Sequence, residues 1–192
     1  MPPLLEPQGW PWRGRGCEPL HPLRVGGGLV RRLLWLWLPL SVLAVDLGSK
    51  AWVLRRLGEG ESLTVIRGFF SLTLGFNRGA IFGSLTWLPT SARFILFTLA
   101  GLVALLYFGK LFLAENTSAW ERVALGLILG GAMGNGIDRL YRGAVVDFLD
   151  FVFGTWHYWT FNFADSCILV GAILYGLRMI WMARAEDRAT DS

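Results

Sequence analysis

The sequence is short of charged residues. Its 192 residues include 18 Lys and Arg and 14 Asp and Glu, so charged residues make up 17% of the chain while hydrophobic residues make up 54%. A soluble domain has about 25% charged residues on average. This shortage excludes a soluble enzyme and a disordered protein for most of the chain, and it favours an integral membrane protein.

Cysteine is also scarce, and the basic residues do not form the surface that nucleic acid requires. The two cysteines, Cys17 and Cys167, belong to no motif, so nothing suggests a disulfide or a metal site. The net charge is only +4. Because the arginines flank hydrophobic runs and do not cover a folded basic domain, we predict no nucleic-acid partner.

Long hydrophobic runs are abundant. Four segments reach the roughly 20 residues that cross a bilayer, and they cover about 33–53, 93–113, 123–142 and 161–182. The predicted fold is therefore an α-helical integral membrane protein with four transmembrane helices within residues 33–182. Residues 1–32, rich in Pro, Gly and Arg, are predicted to be a disordered basic tail, and residues 183–192 a second tail.

The positions of the arginines predict the orientation of these spans. Arginines precede the first span, follow the fourth, and accompany Lys110 around the 113–122 loop. Four others on the opposite side oppose this bias, namely Arg55, Arg56, Arg67 and Arg78. Because basic residues prefer the cytoplasmic side, both termini are predicted to be cytoplasmic.

Two segments then lie on the outer side of the membrane. The first, about 58–92, contains Ser62–Ile66 and Phe70–Asn77, and the second of these runs alternates apolar with polar residues. This alternation is typical of half-buried strands, and it predicts a small extracytoplasmic β-sheet. The other outer segment, about 143–160, is predicted to be a loop that carries Asp147.

Polar residues collect at the outer ends of three spans. Such groups are costly within a membrane, so an ionisable residue there suggests a functional site. Each set has helical spacing, which places its members on one face. The residues are Asp46 and Lys50 on the first span, Asn135, Asp138 and Arg139 on the third, and Asn162 and Asp165 on the fourth. We predict that the three helices converge on one polar layer beside Asp147.

Some of these residues have a structural interpretation. The pair Asp46–Lys50 is interpreted as an ion pair within one helix, and Asp138–Arg139 as a pair that holds loops. Of Asp46, Asp138, Asp147 and Asp165, the last two have no basic residue paired with them in the sequence. Two uncompensated carboxyl groups at a membrane surface are what acid–base hydrolysis needs.

Two further patterns are interpreted as structural. Glycines recur at every fourth residue in the third span, at Gly126, Gly130 and Gly134, which is typical of close helix packing in membranes. His157 lies between aromatic residues, in a cluster that resembles an interfacial aromatic belt.

Five motifs in order resemble those of lipoprotein signal peptidase (signal peptidase II), the family of bacterial membrane aspartyl proteases. They are Asp46-Leu-Gly-Ser-Lys50, Phe76-Asn-Arg-Gly-Ala-Ile-Phe82, Gly130-Gly-Ala-Met-Gly-Asn-Gly-Ile-Asp-Arg139, Val145-Val-Asp-Phe148 and Phe161-Asn-Phe-Ala-Asp-Ser166. The resemblance covers about residues 33–182. It implies four transmembrane helices with a small extracytoplasmic β-cradle, and it implies no metal or organic cofactor.

The resemblance also assigns residues. It implies that the catalytic pair is Asp147 and Asp165. The implied substrate-binding and supporting residues are Asp46, Lys50, Asn77, Gly79, Asn135, Asp138, Arg139, Asn162 and Ala164. Ile81 stands where the family usually has Ala, which is expected to narrow the substrate groove. Gly136 stands where a bulky apolar residue is usual, which is expected to loosen the third helix.

The resemblance implies the reaction and its setting. The family removes the signal peptide from prolipoproteins whose cysteine carries diacylglyceryl, and it cuts just before that cysteine. The expected partners are these lipidated substrates and membrane lipid, and the protein is expected to be a monomer. The expected location is the bacterial cytoplasmic (inner) membrane, with the active site at the outer face.

Two other functions remain open from the residues themselves. One is a small ion- or proton-coupled transporter, which would place polar residues near the bilayer midplane and often has inverted repeats. The other is a non-catalytic membrane assembly factor, in which the polar layer only anchors loops. An assembly factor would tolerate Asp147→Asn, whereas a peptidase would not.

Overall fold

Four long helices form the body of the protein within residues 27–79, 87–154 and 156–190, the part that the computed structural model describes. The helices in chain order are α1 (Gly27–Leu34), α2 (Trp37–Arg56), α3 (Thr90–Leu113), α4 (Ala119–Arg142) and α5 (Phe163–Thr190). The strands are β1 (Ser62–Ile66), β2 (Phe70–Asn77), β3 (Val145–Phe153) and β4 (Trp156–His157). The short α1 precedes the four long helices, which confirms the four-helix prediction.

Three of the helical segments are long and apolar enough to cross a membrane. They are Arg32–Arg56, Thr90–Leu113 and Phe163–Ala185, with mean hydropathies of 1.3, 2.0 and 1.7. The most apolar of them, α3, exposes a row of large side chains that includes Leu99, Val103 and Leu106. Exposed leucine and valine in such numbers are typical of a surface that faces lipid.

The remaining long helix, α4, is less apolar than these three because it packs against all of them. It contacts α2, α3 and α5, and 11 of its 24 residues are buried. Its start is fixed by a capping box, in which the Ser118 hydroxyl accepts from the Glu121 N–H and the Glu121 carboxylate accepts from the Ser118 N–H. It ends at Gly143, whose φ of 71° is left-handed and suits glycine.

The glycines of α4 pack as the sequence predicts. A Cβ on Gly126 would lie 2.8 Å from the Leu38 side chain, and one on Gly130 would overlap Val42. These positions therefore allow α2 and α4 to approach closely. Gly136 differs, because a Cβ there would meet no atom within 4 Å.

The strands form one antiparallel sheet in the order β1-β2-β3-β4. The bounds of β1 and β2 match the sequence prediction. The predicted outer loop at 143–160 is wrong in part, because residues 145–153 form the strand β3. Its first four residues are all buried, so the run lacks the alternation that identifies a half-buried strand.

The sheet rests on the end of α2. Val53 packs with Leu74 of β2 and with Val146 and Phe148 of β3 in a buried apolar cluster. The register pairs Gly75 with Asp147 across β2 and β3. This packing places Asp147 directly beside the ends of the helices.

The ends of the chain differ from the predicted tails. Residues 27–34 form α1, although the sequence places a disordered tail up to residue 32. Arg32 donates to the Leu113 carbonyl at 3.1 Å and to the Glu115 carboxylate at 2.8 Å, which ties this helix to the end of α3. At the other end, α5 extends to Thr190, beyond the predicted boundary at 182. Residues 1–26 and Ile81 lie outside the described residues.

Candidate active site

A buried ion cluster joins α2 to α4. The Lys50 Nζ lies 2.8 Å from Asp46 Oδ2 and 3.0 Å from Asp138 Oδ2, and all three side chains are at most 1% exposed. The Asp46–Lys50 pair predicted from the sequence is therefore present. Asp46 also accepts the backbone N–H of Ala164 at 3.0 Å, which attaches the start of α5 to this cluster.

The second predicted ion pair is wrong. Asp138 pairs with Arg142 at 2.6 Å, and Arg139 forms no ion pair with Asp138 in the described part of the chain. The physical reason is helix geometry, since residues four apart share a face and adjacent residues do not. Asp138 also accepts the Val146 N–H at 3.2 Å, so it joins α4 to β3. The sequence analysis missed Arg142 as the partner of Asp138, although its i,i+4 spacing from Asp138 is visible in the sequence.

Arg139 faces the carboxylates from another side. Its guanidinium lies over the Phe97 ring, 5.8 Å from the centroid. Its positive charge interacts favourably with three aspartates, most strongly with Asp165, less with Asp147 and least with Asp138. Arg139 is therefore a cation held beside the aspartates by an aromatic ring of α3, and it is not a scaffold for Asp138.

Two asparagines connect the ion cluster to the predicted catalytic pair. Asn135 accepts from Lys50 Nζ at 3.0 Å, and its Nδ2 donates to Asp165 Oδ1 at 2.7 Å. The Nδ2 of Asn162 donates to Asp147 Oδ1 at 2.8 Å and to Asn135 Oδ1 at 3.0 Å. Asp147 and Asp165 therefore belong to one hydrogen-bonded network, as the converging polar layer predicts.

The start of α5 places Asp165 within this network. The Asp165 N–H donates to Asn162 Oδ1 at 2.9 Å, and the Asn162 N–H donates to Asp165 Oδ2 at 3.3 Å. This reciprocal arrangement caps the helix. It also leaves Asp165 in the first turn of α5, where the helix dipole favours a negative charge.

Asp147 is held in β3, with 2% of its surface exposed. Asn162 and Asn77 both hydrogen-bond its carboxyl group. Burial, with the neighbouring Asp165 carboxyl, raises the pKa of Asp147 to about 7. This carboxyl therefore holds a proton through the acidic range up to near neutral pH.

Gly79 shapes the turn that follows Asn77. Its N–H donates to Asn77 Oδ1 at 3.0 Å, and its φ is 95°, a conformation that suits glycine. A Cβ at this position would lie 2.8 Å from Phe97 and 3.1 Å from the Cβ of Arg93. Glycine is therefore needed both for the turn and for its contact with α3, and the turn orients Asn77.

Asp150 lies apart from this layer. It is three residues after Asp147 on β3, so the two side chains point to opposite faces of the strand. Its carboxylate accepts from the Thr73 hydroxyl at 2.8 Å. The sequence alone does not predict that the Thr73 hydroxyl binds Asp150, because this contact depends on the register between β2 and β3.

The aromatic cluster around residue 157 is present in its described members. The Tyr158 ring packs edge-on against Trp156 and Trp159, with centroids 6.0 Å apart in each case. The side chain of His157 lies outside the described residues. Among the described residues, no group of three or more His, Cys, Asp or Glu could hold a metal ion.

The fold and the site together define a class, that of helical membrane proteins in which a buried aspartate of a small sheet and a half-buried aspartate at a helix start share one hydrogen-bonded network. Comparison with known protein families identifies one family. The family described as "Signal peptidase (SPase) II" matches residues 38–181 of this chain. This chain belongs to the signal peptidase II family.

Individual relatives agree with this assignment. The chain is 41% identical over 144 residues to the lipoprotein signal peptidase of Cronobacter sakazakii, covering 74% of this chain and 86% of that protein. It is 38% identical over 165 residues to that of Pseudomonas putida, covering 85% and 96%. For Escherichia coli K12 the identity is 38% over 158 residues, covering 81% and 94%.

Solved structures have a similar fold. A bacterial membrane enzyme determined by the in meso method at 2.3 Å resolution gives a TM-score of 0.67 at 28% identity, covering 83% of this chain and 92% of that one. Another, at 1.9 Å resolution, gives 0.62 at 32% identity, covering 76% and 92%. The protein is thus a multipass protein of the bacterial inner membrane, and these relationships do not support a transporter or an assembly factor.

Proposed function

We propose that Asp147 and Asp165 are the catalytic pair of this aspartic endopeptidase, which removes signal peptides from prolipoproteins. The observation that carries the proposal is the Asn162 bridge. Asn162 binds the Asp147 carboxyl through Nδ2 and the Asp165 N–H through Oδ1. Two carboxyl groups from a strand and a helix are thereby held in one buried network, as a dyad requires.

Acid–base hydrolysis follows from two adjacent carboxyl groups of which one is ionised. The ionised aspartate takes a proton from a water molecule, whose oxygen attacks the carbonyl carbon of the scissile peptide bond. The protonated aspartate donates to the carbonyl oxygen. Collapse of the tetrahedral intermediate breaks the C–N bond. The leaving amine receives the proton that the first aspartate took from water, and a hydroxyl of the intermediate returns a proton to the second aspartate as the carboxylic acid product forms. The pair thus regains one ionised and one protonated member.

The proposed substrate is a prolipoprotein whose cysteine carries diacylglyceryl, with cleavage just before that cysteine. Support comes from the position of the site, which lies where the polar ends of α2, α4 and α5 meet the small sheet. Lipid chains at this level remain beside apolar helices such as α3 while the peptide bond reaches the aspartates. Membrane lipid is therefore a proposed partner.

The remaining site residues are proposed to support this pair. Asp46, Lys50 and Asp138 form the buried ion cluster, and Ala164 attaches α5 to it. Asn77 and Gly79 orient the Asp147 side of the site. Arg139, beside both aspartates, is proposed to contact the substrate or the developing charge.

We further propose that both termini are cytoplasmic, that the aspartates lie at the outer face, and that the protein acts as a monomer. The distribution of basic residues supports this orientation. Arg32 and Lys110 lie at the helix ends opposite the aspartates, and Arg178 of α5 lies at the same level, 3.4 Å from Glu121 in the first turn of α4. A basic cytoplasmic side then places the sheet and the catalytic pair outside.

Processing of a lipidated prolipoprotein by the purified full-length protein in detergent tests this proposal. The expected result is release of the signal peptide with a new amino terminus at the lipidated cysteine. The same precursor without lipid and the Asp147→Asn variant serve as controls, and both are expected to show no cleavage. Equal cleavage by the Asp147→Asn variant would contradict the assignment.

A further inference from the structure

We propose that Lys50 is a positioning residue that, through the amide of Asn135, makes Asp165 the ionised member of the pair and leaves the proton on Asp147. This inference rests on the proposed function, since it assigns the water-activating role to Asp165 and the acid role to Asp147. It is carried by the directions of the hydrogen bonds that connect the ion cluster to the two aspartates.

The first step is the orientation of the Asn135 amide. Its Oδ1 lies 3.0 Å from Lys50 Nζ and 3.0 Å from Asn162 Nδ2, and both of these neighbours are donors. An amide turned the other way would place its NH₂ group against an ammonium ion. Oδ1 must therefore face Lys50, and Nδ2 must face Asp165.

The second step is that Lys50 has no alternative arrangement. Its Nζ has three oxygen neighbours within 3.0 Å, from Asp46, Asp138 and Asn135. An ammonium carries three N–H groups. Because the side chain is 1% exposed, water does not replace any of these neighbours. The cation therefore holds the Asn135 amide in a single orientation.

The third step concerns what Asp165 receives. Its Oδ1 accepts from Asn135 Nδ2 at 2.7 Å, and its Oδ2 accepts from the Asn162 N–H at 3.3 Å. Both oxygens serve as acceptors, and such hydrogen bonds are stronger to an ionised carboxylate than to a neutral one. The first turn of α5 adds a favourable dipole. Asp165 is therefore the member that carries the charge.

The fourth step concerns Asp147. It lies on a strand, without a helix terminus, and it is 2% exposed. A charged Asp165 beside it disfavours a second negative charge. Its raised pKa, about 7, agrees with a carboxyl that keeps its proton near neutral pH. Asn162 and Asn77 hydrogen-bond this carboxyl, and neither of them is a cation.

Charged and polar groups face the pair from every element packed around it. Lys50 comes from α2, Asn77 from β2, Asn135 and Arg139 from α4, and Asn162 from the start of α5. The charge of Lys50 acts on both aspartates, but Lys50 is connected by hydrogen bonds to Asp165 through the Asn135 amide. The charge of Arg139 interacts more strongly with Asp165 than with Asp147. Both cations therefore favour the same assignment.

The pH dependence of kcat/KM tests the role of Lys50 through Asn135. Asn135→Ala removes the donor to Asp165, so the acidic limb of the profile is expected to move up by about one pH unit. The double variant Asp46→Asn/Lys50→Met removes one ion pair as a unit and leaves Asp138 paired with Arg142. It is expected to shift the same limb in the same direction.

Gly126→Ala is the matched control for a purely structural effect. It disturbs the packing of α4 on α2 at Leu38 without touching the network, so the amount of folded protein falls and the pH profile stays in place. An unchanged acidic limb in both network variants would overturn the role of Lys50. A shift confined to the basic limb would also overturn it, because Asp147 would then be the ionised member.

Infrared spectroscopy of the full-length protein at pH 5 assigns the proton without relying on activity. The carbonyl stretch of a buried protonated carboxylic acid is expected to be absent in Asp147→Asn and retained in Asp165→Asn. The reverse result would overturn the proposal. This measurement separates the two levels of inference, since a wild-type protein without peptidase activity would refute the proposed function while the infrared band still locates the proton.

Discussion

Asn162 donates from Nδ2 to the Asp147 carboxyl at 2.8 Å and at the same time caps the helix that carries Asp165. One amide therefore fixes both the rotamer of the strand aspartate and the start of the helix. Its other contacts, to the Val146 carbonyl and to Asn135, are also buried. The geometry of the pair thus depends on a residue that lies between its members both in sequence and in space.

The catalytic pair is tested by single and double substitutions. Asp147→Asn and Asp165→Asn should each leave a folded, inserted protein whose activity is lower by about 10²–10⁴-fold, since Asn is similar in shape but does not transfer the proton. The double variant should be scarcely worse than either single one, because the two residues act as a unit. Rates of prolipoprotein cleavage measure all three.

Asp150→Asn is the control for this series. Asp150 is on the opposite face of β3 and is bound by Thr73, so cleavage should remain within a few-fold of wild type. If Asp150→Asn abolished cleavage while Asp147→Asn retained it, the assignment of the pair would be wrong even though the family would stand.

Substitution of the two arginines at the end of α4 should have different effects, one on stability and the other on activity. Arg142→Ala leaves the buried Asp138 with one cation fewer, so we expect a loss of about 1–3 kcal/mol in unfolding free energy. Arg139→Ala should leave the folded yield nearly unchanged and lower kcat/KM by about 10-fold or more, equal to about 1.4 kcal/mol. Thermal unfolding in detergent and cleavage rates distinguish the two. Loss of folded protein in Arg139→Ala with normal specific activity would show that the assignment is reversed.

The two glycines on either side of Asn135 provide a matched pair for packing. A Cβ on Gly134 would overlap the Asp46 carboxylate, so Gly134→Ala should destabilise the protein by about 1–3 kcal/mol. Gly136 faces open space, and Gly136→Ala should be neutral or stabilising by up to about 1 kcal/mol, because alanine is the better helix former. Unfolding midpoints of both variants measure the difference. Similar midpoints would mean that α2 and α4 separate easily at Gly134.

The pH dependence of the wild-type protein follows from Asp147. Its pKa is raised from 3.8 to about 7, so between these values the folded state binds more protons than the unfolded state. Unfolding free energy from this group should therefore fall as pH rises from about 4 to about 7, and cleavage should decline above about 7 as the acid loses its proton.

The Asp147→Asn variant checks the origin of this effect, because it removes the titrating group. Its unfolding free energy should vary less with pH over the same interval. A wild-type stability that instead increased steadily between about pH 4 and 7, with no difference in the variant, would show that other carboxyl groups dominate this range.

The sequence by itself determined the features that depend on local periodicity. The alternation of β2 followed from the sequence, the four long helices from the length of apolar runs, and the close packing of α4 from glycines at every fourth residue. The Asp46–Lys50 pair followed from i,i+4 spacing. Each of these signals lies within a few residues or one helix, so no knowledge of distant parts of the chain is required.

Only the tertiary structure decided which distant groups meet. β3 escaped prediction because it is buried on both faces, and burial on the second face comes from α2 and β2. Asp138 binds Lys50 of another helix, and Asn135 binds Asp165 thirty positions further along the chain. Spacing within one helix restricts a side chain to a face, but the partner that fills this face is chosen by how the helices pack, since buried charges must find compensation wherever the fold supplies it.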